Sequence, residues 1–437
     1  MRNLLLISPF FSSRVEKTTE KAFLFPPLNL PIIASLTPDS YEIELLDENI
    51  EQIDFDKTPD LVGITAMTAQ APRAYAIADK WREKGVTVVL GGIHPTAVPH
   101  EAAAHADAVV LGEAEGVWHQ VLRDSENHRL SKFYYSPKMP HLNDLPRPRL
   151  EILKSERYII DNIMQIFRGC PFNCRFCSVT KFFGNTYRYK PVEDIVAHVR
   201  ERVGTTRKSK FFGFLDDNIG GLPSYAKRLF SQLEPLNIMW AGQASLTIAK
   251  DRELLKIFEK SGCKGLFIGL ESMSQSALQE SNKGFLKVSQ FKEAIDIIHD
   301  HGISIEGAFI FGFDDDDTGV FEKTVEFADR VGVDAAQFGI LTPFPGTAIW
   351  DKFSREDRLL SRDWTKYTIG HVVFRPLKMD PERLQEGTDW AWREFYSLRR
   401  VAMRFPRSFH WGFKSAIPIL ILQFAYRSLL KKRKNSS

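Results

Sequence analysis

The sequence predicts an α/β chain: a doubly wound N-terminal domain, a run of six strand–helix units, and a helical C-terminal extension. Two observations carry this reading. Short apolar runs alternate with amphipathic helical patterns from the N-terminus to about residue 345. Three of the four cysteines crowd into Phe167-Arg-Gly-Cys-Pro-Phe-Asn-Cys-Arg-Phe-Cys-Ser178, directly after the first strand of the second array. With 437 residues, 43% hydrophobic and 26% charged, the chain can bury two ordinary cores. A net charge of +3 gives no argument for nucleic-acid binding. Clustered thiols are not a disulfide framework and point to a reducing, cytoplasmic setting. The N-terminal apolar run ends at Pro9 and reads as a strand rather than a signal segment. No apolar run is long enough to be read as a membrane span.

In residues 1–125 the strands are expected at Asn3–Ser8, Ile43–Asp47, Leu61–Thr65, Thr87–Gly91 and Ala108–Leu111. Helices are expected at Leu28–Leu36, Ala71–Lys84, Pro99–His105 and Val117–Arg123. Short apolar strands separated by helices imply a parallel sheet covered on both faces, which binds ligands beyond the carboxyl ends of its strands. Those ends carry Ser8-Pro9, Thr65-Ala-Met-Thr68, Gly91-Gly-Ile-His94 and Gly112-Glu113, small residues that let a bulky ligand approach the backbone. No G-x-G-x-x-G follows the first strand, which argues against a dinucleotide. Residues 126–160, with Pro137, Pro140, Pro146 and Pro148, read as a linker.

Residues 161–345 repeat strand then helix. Strands are expected at Ile163–Phe167, Lys210–Leu215, Ile238–Ala241, Gly265–Leu270, Ser304–Phe311 and Ala335–Leu341. The helices between them are Val192–Val203, Tyr225–Leu233, Arg252–Lys260, Phe291–His299 and Gly319–Arg330. Six consecutive units suggest a parallel barrel or an open part-barrel. The polar residues then fall at strand ends, the face on which barrel enzymes build their sites. They are Asp216-Asp217 after strand two, Gln243 and Ser245 after strand three, Glu271 after strand four and Asp314–Asp317 after strand five. The last group reads as a helix cap.

Cys170, Cys174 and Cys177, spaced C-x3-C-x2-C, form a metal-binding loop with three ligands. Structural zinc and closed iron–sulfur sites use four, so a three-ligand site leaves one metal position for a small molecule. Cys263 lies apart at the expected end of a helix and reads as a small buried residue.

The cysteine loop, with Phe176 just before its last cysteine, resembles that of the radical S-adenosylmethionine superfamily. Pro59-Asp-Leu-Val-Gly-Ile-Thr-Ala-Met-Thr68, Val88-Val-Leu-Gly-Gly-Ile-His-Pro-Thr96 and Val109-Val-Leu-Gly-Glu113 resemble the cobalamin-binding domain that precedes many such enzymes. The chain is therefore similar to cobalamin-dependent radical S-adenosylmethionine enzymes. The resemblance implies a six-unit part-barrel whose Cys170, Cys174 and Cys177 hold a [4Fe–4S] cluster, with S-adenosylmethionine on the fourth iron. It places Phe176 near the adenine, Asp216 or Asp217 near the methionine amino group, and Glu271 near the ribose; Gln243 and Ser245 face the same ligand. It gives Thr65, Met67, Thr68, Gly91, Gly92, His94, Gly112 and Glu113 to cobalamin. The D-x-H-x-x-G loop whose His ligates cobalt in other cobalamin proteins is absent. His94 is read as a loop histidine against backbone or ligand amides rather than as its substitute.

The function implied is reductive cleavage of S-adenosylmethionine to a 5′-deoxyadenosyl radical, hydrogen abstraction from an unactivated carbon, and methyl transfer from methylcobalamin. Cyclisation or oxidation by the same architecture is the alternative outcome, and a non-enzymatic cobalamin or iron–sulfur sensor the alternative class. A tRNA methylthiotransferase would carry N-terminal cysteines, which are absent here. The resemblance also implies a flavodoxin- or ferredoxin-type electron donor. In residues 346–437, the aromatics of Trp364–Tyr396 read as a barrel cover or substrate roof, favouring a hydrophobic substrate such as an isoprenoid lipid or tetrapyrrole. From Leu398 onward there is no Asp or Glu. The apolar Ala416–Tyr426 followed by Lys431-Lys-Arg-Lys434 is expected to contact the inner face of the cell membrane peripherally.

Overall fold

The computed structural model describes residues 1–10, 25–205, 210–410, 420–428 and 430. The chain begins with β1 (Arg2–Ser8), α1 (Asn29–Ser35), β2 (Tyr41–Asp47), β3 (Leu61–Thr65), α2 (Ala71–Glu83) and β4 (Thr87–Gly91). It continues through α3 (Ile93–Ala97), α4 (Pro99–His105), β5 (Ala108–Leu111), α5 (Trp118–Glu126) and β6 (Phe133–Tyr135). These strands form one six-stranded parallel sheet in the order β2-β1-β3-β4-β5-β6. Side chains alternate between two cores, as a doubly covered sheet requires. Leu5 and Ile7 of β1 enter one core with Val62, Val88 and Val109, while Leu4 and Leu6 enter the other with Leu61, Val89 and Val110. On α2, Ala71, Ala74, Tyr75, Ala78 and Trp81 recur at helical spacing and are all buried.

The expected linker is corrected in part. Phe133–Tyr135 adds the sixth strand, Leu150 and Leu153 are buried in the first domain's core, and Leu142 is buried as well. A three-residue strand between polar flanks gives too short an alternation to be read from sequence.

The second array comprises β7 (Ile163–Met164), β8 (Phe167–Arg168), α6 (Val179–Phe183), β9 (Arg188–Tyr189), α7 (Val192–Thr205) and β10 (Phe211–Phe214). Then come α8 (Pro223–Leu233), β11 (Met239–Ala244), α9 (Arg252–Lys260), β12 (Cys263–Glu271), α10 (Gln275–Glu280) and α11 (Phe291–His299). β13 (Ser304–Phe311), α12 (Val320–Val331) and β14 (Ala335–Ile340) complete the array. Its six-stranded sheet is parallel, ordered β14-β13-β12-β11-β10-β7, and its first and last strands do not pair, so the structure is an open part-barrel. The expected first strand is shorter than the apolar run: it stops at Met164, and Phe167–Arg168 pairs antiparallel with Arg188–Tyr189 instead. Along β13, Ile305, Phe309 and Phe311 are buried outward against helices, whereas Glu306, Ala308 and Ile310 are only partly covered on the inner face. The barrel interior is therefore a cavity rather than a filled core.

Cys263 opens β12 rather than ending a helix, and it is buried. Glu271 ends that strand, ~26 Å away at strand rise. The C-terminal region adds α13 (Ala348–Arg355), α14 (Pro381–Phe395), α15 (Leu398–His410) and helical residues 420–428. The expected roof divides into two parts. Trp364 meets the first domain, donating from Nε1 to Glu101 (2.8 Å), whereas α14 lies outside the barrel, Trp392 Nε1 donating to the carbonyl of Phe338 (2.6 Å). Residues 416–419 of the apolar run and the tail Lys431–Lys434 lie outside the described residues. Among the described residues no helix is long and apolar enough to cross a membrane.

α14 approaches α12 at a bare backbone: a Cβ on Gly387 would stand 2.1 Å from the Phe321 ring. Gly387→Ala is expected to lower stability by ~1–3 kcal/mol, read as a lower midpoint in chemical denaturation.

Candidate active site

The cysteine loop is clamped at its base by the β8–β9 ribbon and shaped by glycine. Gly169 has φ +88°, and a Cβ there would lie 2.2 Å from the Thr186 carbonyl oxygen, so no other residue fits beside Cys170. The amide of Cys170 donates to the carbonyl of Gly184 (3.2 Å), and that of Cys177 to Cys174 (3.1 Å). The loop also docks on the segment after β12. The Arg175 amide donates to the Ser281 carbonyl (3.1 Å), and Asn282 Nδ2 donates to the Asn173 carbonyl (2.8 Å). Phe172 stacks on Phe285 at 4.4 Å. Neighbouring strand-end loops thus position the thiols.

Burial pushes the Cys174 thiol up to about 12 and the Cys177 thiol to about 11, against the Lys283 ammonium nearby. Among the described residues no His, Cys, Asp or Glu side chains converge as three or more on a single ion. A cubane does not require this, since each thiolate takes a separate iron.

The two expected carboxylates after β10 divide the work. Asp216 is completely buried and turned back on the chain, its Oδ1 accepting from the amides of Ile166 (2.8 Å) and Phe167 (2.5 Å). Burial raises its pKa to about 8. Its place as a ligand-facing carboxylate is therefore corrected: it holds the strand that launches the cysteine loop. Asp217 is open to the mouth and close enough to Cys170 and Cys177 to perturb both thiols; desolvation within the mouth raises its pKa to about 6. Ser245 is half-buried, and its hydroxyl caps the next turn by accepting from the Thr247 amide (3.4 Å). Gln243 remains half-buried at the end of β11. In Asp314–Asp317, Asp316 accepts from the amides of Gly312 (2.9 Å) and Phe313 (3.0 Å), and Asp314 pairs with Lys352 and Arg358.

Glu271 sits at a register shift at the end of β12 with φ +62° and pairs with Lys283. A Cβ on Gly269 would stand 2.3 Å from Glu271 Oε1 and 2.9 Å from Lys283 Nζ, so the glycine makes room for the pair. Burial opposes the charge on Lys283, but Glu271 and Cys174 outweigh it and raise its pKa. Glu271 and Phe176 line a cavity of about 210 Å³ with Phe267, Ile310, Phe344 and Ile369.

A second cavity, of about 530 Å³, lies beyond the carboxyl ends of the first sheet. Of the expected residues it is lined by Thr65, Met67, Gly91, Gly92, Gly112 and Glu113, joined by Asn29, Gln70 and Trp118. Thr68 and His94 are corrected. Thr68 is buried in the turn before α2. His94 is fully buried behind its loop, 3.4 Å from Glu101 through Nε2 and edge-on to Trp364, and burial lowers its pKa. Gly92 has φ +105°, and a Cβ there would lie 2.8 Å from the Ala66 carbonyl oxygen. A Cβ on Gly112 would meet nothing within 4 Å, so bare backbone faces open cavity. The far wall comes from the second domain: Gln165, Arg168, Phe182, Phe183 and Leu215.

The two domains meet in buried charge. Glu113 pairs with both Arg168 and Arg188, and Arg168 reaches Glu115 at 2.6 Å. Arg188 also donates to the carbonyls of Pro140 (2.8 Å) and Phe183 (3.1 Å).

The model of the Radical SAM superfamily matches residues 164–328, and that of the B12 binding domain matches residues 19–122. The chain is 30% identical over 410 residues to the bacteriochlorophyllide d C-12(1)-methyltransferase of Chlorobaculum tepidum, covering 92% of this chain and 88% of that one. The protein belongs to the cobalamin-dependent radical S-adenosylmethionine family.

The bacteriochlorophyllide d C-8(2)-methyltransferase of the same organism is 32% identical over 392 residues, 86% of each chain. The fold is shared with the radical S-adenosylmethionine methyltransferase TsrM of Kitasatospora setae, whose structure holds cobalamin and a [4Fe–4S] cluster. That match has a TM-score of 0.71 at 13% identity, over 100% of this chain and 99% of that one.

The cofactors of this radical S-adenosylmethionine enzyme are a [4Fe–4S] cluster, S-adenosylmethionine and cobalamin. The residues present fit them. Three thiols in one tight, glycine-shaped loop suit a cluster with one free iron, and a glycine-lined cradle at the sheet's ligand edge suits a corrin. No His or Cys lines the larger cavity among the described residues. Sequence reasoning missed Lys283, Arg168, Arg188, Phe182 and Phe183. Only Arg168 carried a signal, as a cation two residues before the first cysteine.

Glu113→Ala leaves two arginines against one remaining carboxylate and is expected to cost ~3–5 kcal/mol in chemical denaturation. Asp216 binds its proton more tightly folded (about 8) than unfolded (3.8), so its contribution to stability falls as pH rises through this window. Asp216→Asn should fold and flatten that part of the pH dependence, measured as denaturation midpoints at pH 5 and pH 8.

Proposed function

We propose that this enzyme is a C-methyltransferase acting on an unactivated carbon of a bulky, largely apolar substrate of tetrapyrrole type. The observation that carries the proposal is a shared wall. Phe176, inside the cysteine loop, lines the barrel cavity, while Phe182 and Phe183, in the helix that follows, line the cavity of the first domain. A short stretch of chain thus separates the two cofactor regions, the arrangement required if a carbon activated on one side is to receive a group from the other. When bound, the cluster with S-adenosylmethionine supplies the one-electron chemistry that activates the carbon, and cobalamin supplies the methyl group.

The chain's own residues position and exclude. Cys170, Cys174 and Cys177 would hold the cluster through their three thiolates. Asp217 is the carboxylate open to the mouth beside the thiols, suited to the amino group of the sulfonium substrate. The Glu271–Lys283 pair sets a charged patch in the mouth beside Phe176. Phe344, Ile310 and Ile369 give the rest of the mouth an apolar wall that keeps water from a reactive carbon. The tetrapyrrole class is supported by this apolar lining and by the names of the bacteriochlorophyllide methyltransferases over most of whose length the chain aligns.

The test is an anaerobic assay with reconstituted cluster, cobalamin, reductant, methyl-deuterated S-adenosylmethionine and a panel of chlorophyllides and porphyrins. We expect 5′-deoxyadenosine and a product heavier by the labelled methyl group. 5′-Deoxyadenosine with loss of hydrogen and no label would replace methyl transfer by oxidation or cyclisation. Cys174→Ala should lose the cluster's visible absorption and all 5′-deoxyadenosine.

A further inference from the structure

Helical residues 420–428 are docked with inverted polarity. The face at positions 423, 426 and 427 is turned to the barrel, and its contacts are polar. Gln423 Nε2 donates to the Asp334 carbonyl (2.6 Å), Tyr426 Oη bonds Glu306 (2.6 Å) and Gln337 (3.1 Å), and Arg427 Nη1 donates to the Tyr396 carbonyl (2.9 Å). The opposite stripe, at 421, 424, 425 and 428, is exposed. It carries Ile421 (64% exposed) and Phe424 (51%), flanked by Leu422 (37%). A helix on a protein in water ordinarily does the reverse, burying its apolar stripe. Three large apolar side chains within four residues, all outward, form a patch rather than scattered exposure.

The formal charge of the sequence that carries this patch has one sign. The chain from Leu398 to its end contains no Asp or Glu, and Lys431-Lys-Arg-Lys434 begins one residue past Leu430. Arg400 and Arg404 of α15 are taken by Asp329 and Glu394, whereas Arg399 is exposed and the basic run adds four further cations. Apolar residues beside a run of cations match the interface of an anionic bilayer, where the side chains enter the acyl boundary and the cations meet headgroups. A neutral apolar partner would not account for the one-signed charge. We propose that the outward stripe of residues 421–428, with the basic run after it, seats the enzyme on an anionic lipid surface. The docked face keeps the barrel rigidly attached, and the proposal holds whatever the substrate is.

The experiment sediments the full chain with vesicles of phosphatidylcholine alone and of phosphatidylcholine with phosphatidylglycerol, in low and high salt. We expect partition onto the anionic vesicles only, at least about tenfold above neutral ones, and release as salt rises. The double variant Ile421→Asp/Phe424→Asp, at two exposed positions, should lose about tenfold or more of that partition while keeping the wild-type near-ultraviolet circular dichroism. Equal binding of the wild-type chain to both vesicles, or no binding, overturns the proposal without reference to any variant. So does a lipid-free dimer that the double variant abolishes, which would assign the stripe to a second copy.

Discussion

The buried cluster of Glu113, Glu115, Arg168 and Arg188 is the constraint on which the rest of the site depends. Glu113 stands at the carboxyl end of the first sheet, and Arg168 is two residues before the first cysteine. Their pairing leaves little freedom between the cofactor edge of one domain and the cofactor loop of the other. Burying such charges costs several kcal/mol per ion unless each finds directed partners. Here Glu113 receives two guanidinium groups and Arg188 spends further protons on the carbonyls of Pro140 and Phe183. An apolar interface could bind the domains as tightly, but without fixing direction. A fork of planar guanidinium groups on one carboxylate fixes both distance and angle.

The adjacent pair Asp216–Asp217 shows what that rigidity permits. The two side chains leave the end of β10 in different directions. One is consumed in holding Ile166 and Phe167, the other is left facing the thiols. Because Asp216 fixes residues 166–167, and Arg168 beside them is fixed by Glu113, the cysteine loop starts from a point determined from two sides. The loop then needs little order of its own beyond its glycines and its dock on residues 281–285. Lys283 belongs to that dock. The segment that positions the loop thus also sets a buried cation, held charged by Glu271, beside Cys174.

What the sequence made legible was local. Short apolar runs placed Leu61–Thr65 and Ser304–Phe311, helical spacing placed Arg252–Lys260 and Phe291–His299, and C-x3-C-x2-C placed the metal loop. What it concealed was pairing over long separations. Phe167 continues an apolar run from Ile163, yet its partner is Tyr189 rather than the barrel. Glu113 is a strand-end carboxylate like any other until Arg168 and Arg188 are brought to it. His94, in a ligand-edge loop, has the right address but is turned inward against Trp364, a residue far away in sequence. Asp216 and Asp217 are chemically identical in sequence, and only three-dimensional burial separates them.

An unfilled barrel also has to be closed, because the inner face of β13 gives up packing that a filled core would supply. The floor is closed by Tyr426 bonded to Glu306 and Gln337. The mouth is closed by the loop containing Ile369, whose φ of +57° is a left-handed conformation that a β-branched residue adopts only under constraint. The constraint is visible: the Ile340 amide donates to the Ile369 carbonyl at 2.7 Å, and Gln385 of α14 bonds the next carbonyl, Gly370, at 3.1 Å. The half-exposed side chain lines the cavity opposite Phe176. Strain of this kind persists only where the surroundings over-determine it, and it gathers where a ligand must be met. α14 lies outside the barrel and touches neither cavity, yet through Gln385 it holds the residue that shapes the mouth. The C-terminal extension therefore shapes the cavity mouth by fixing a backbone dihedral, which is why its composition alone did not disclose this contact.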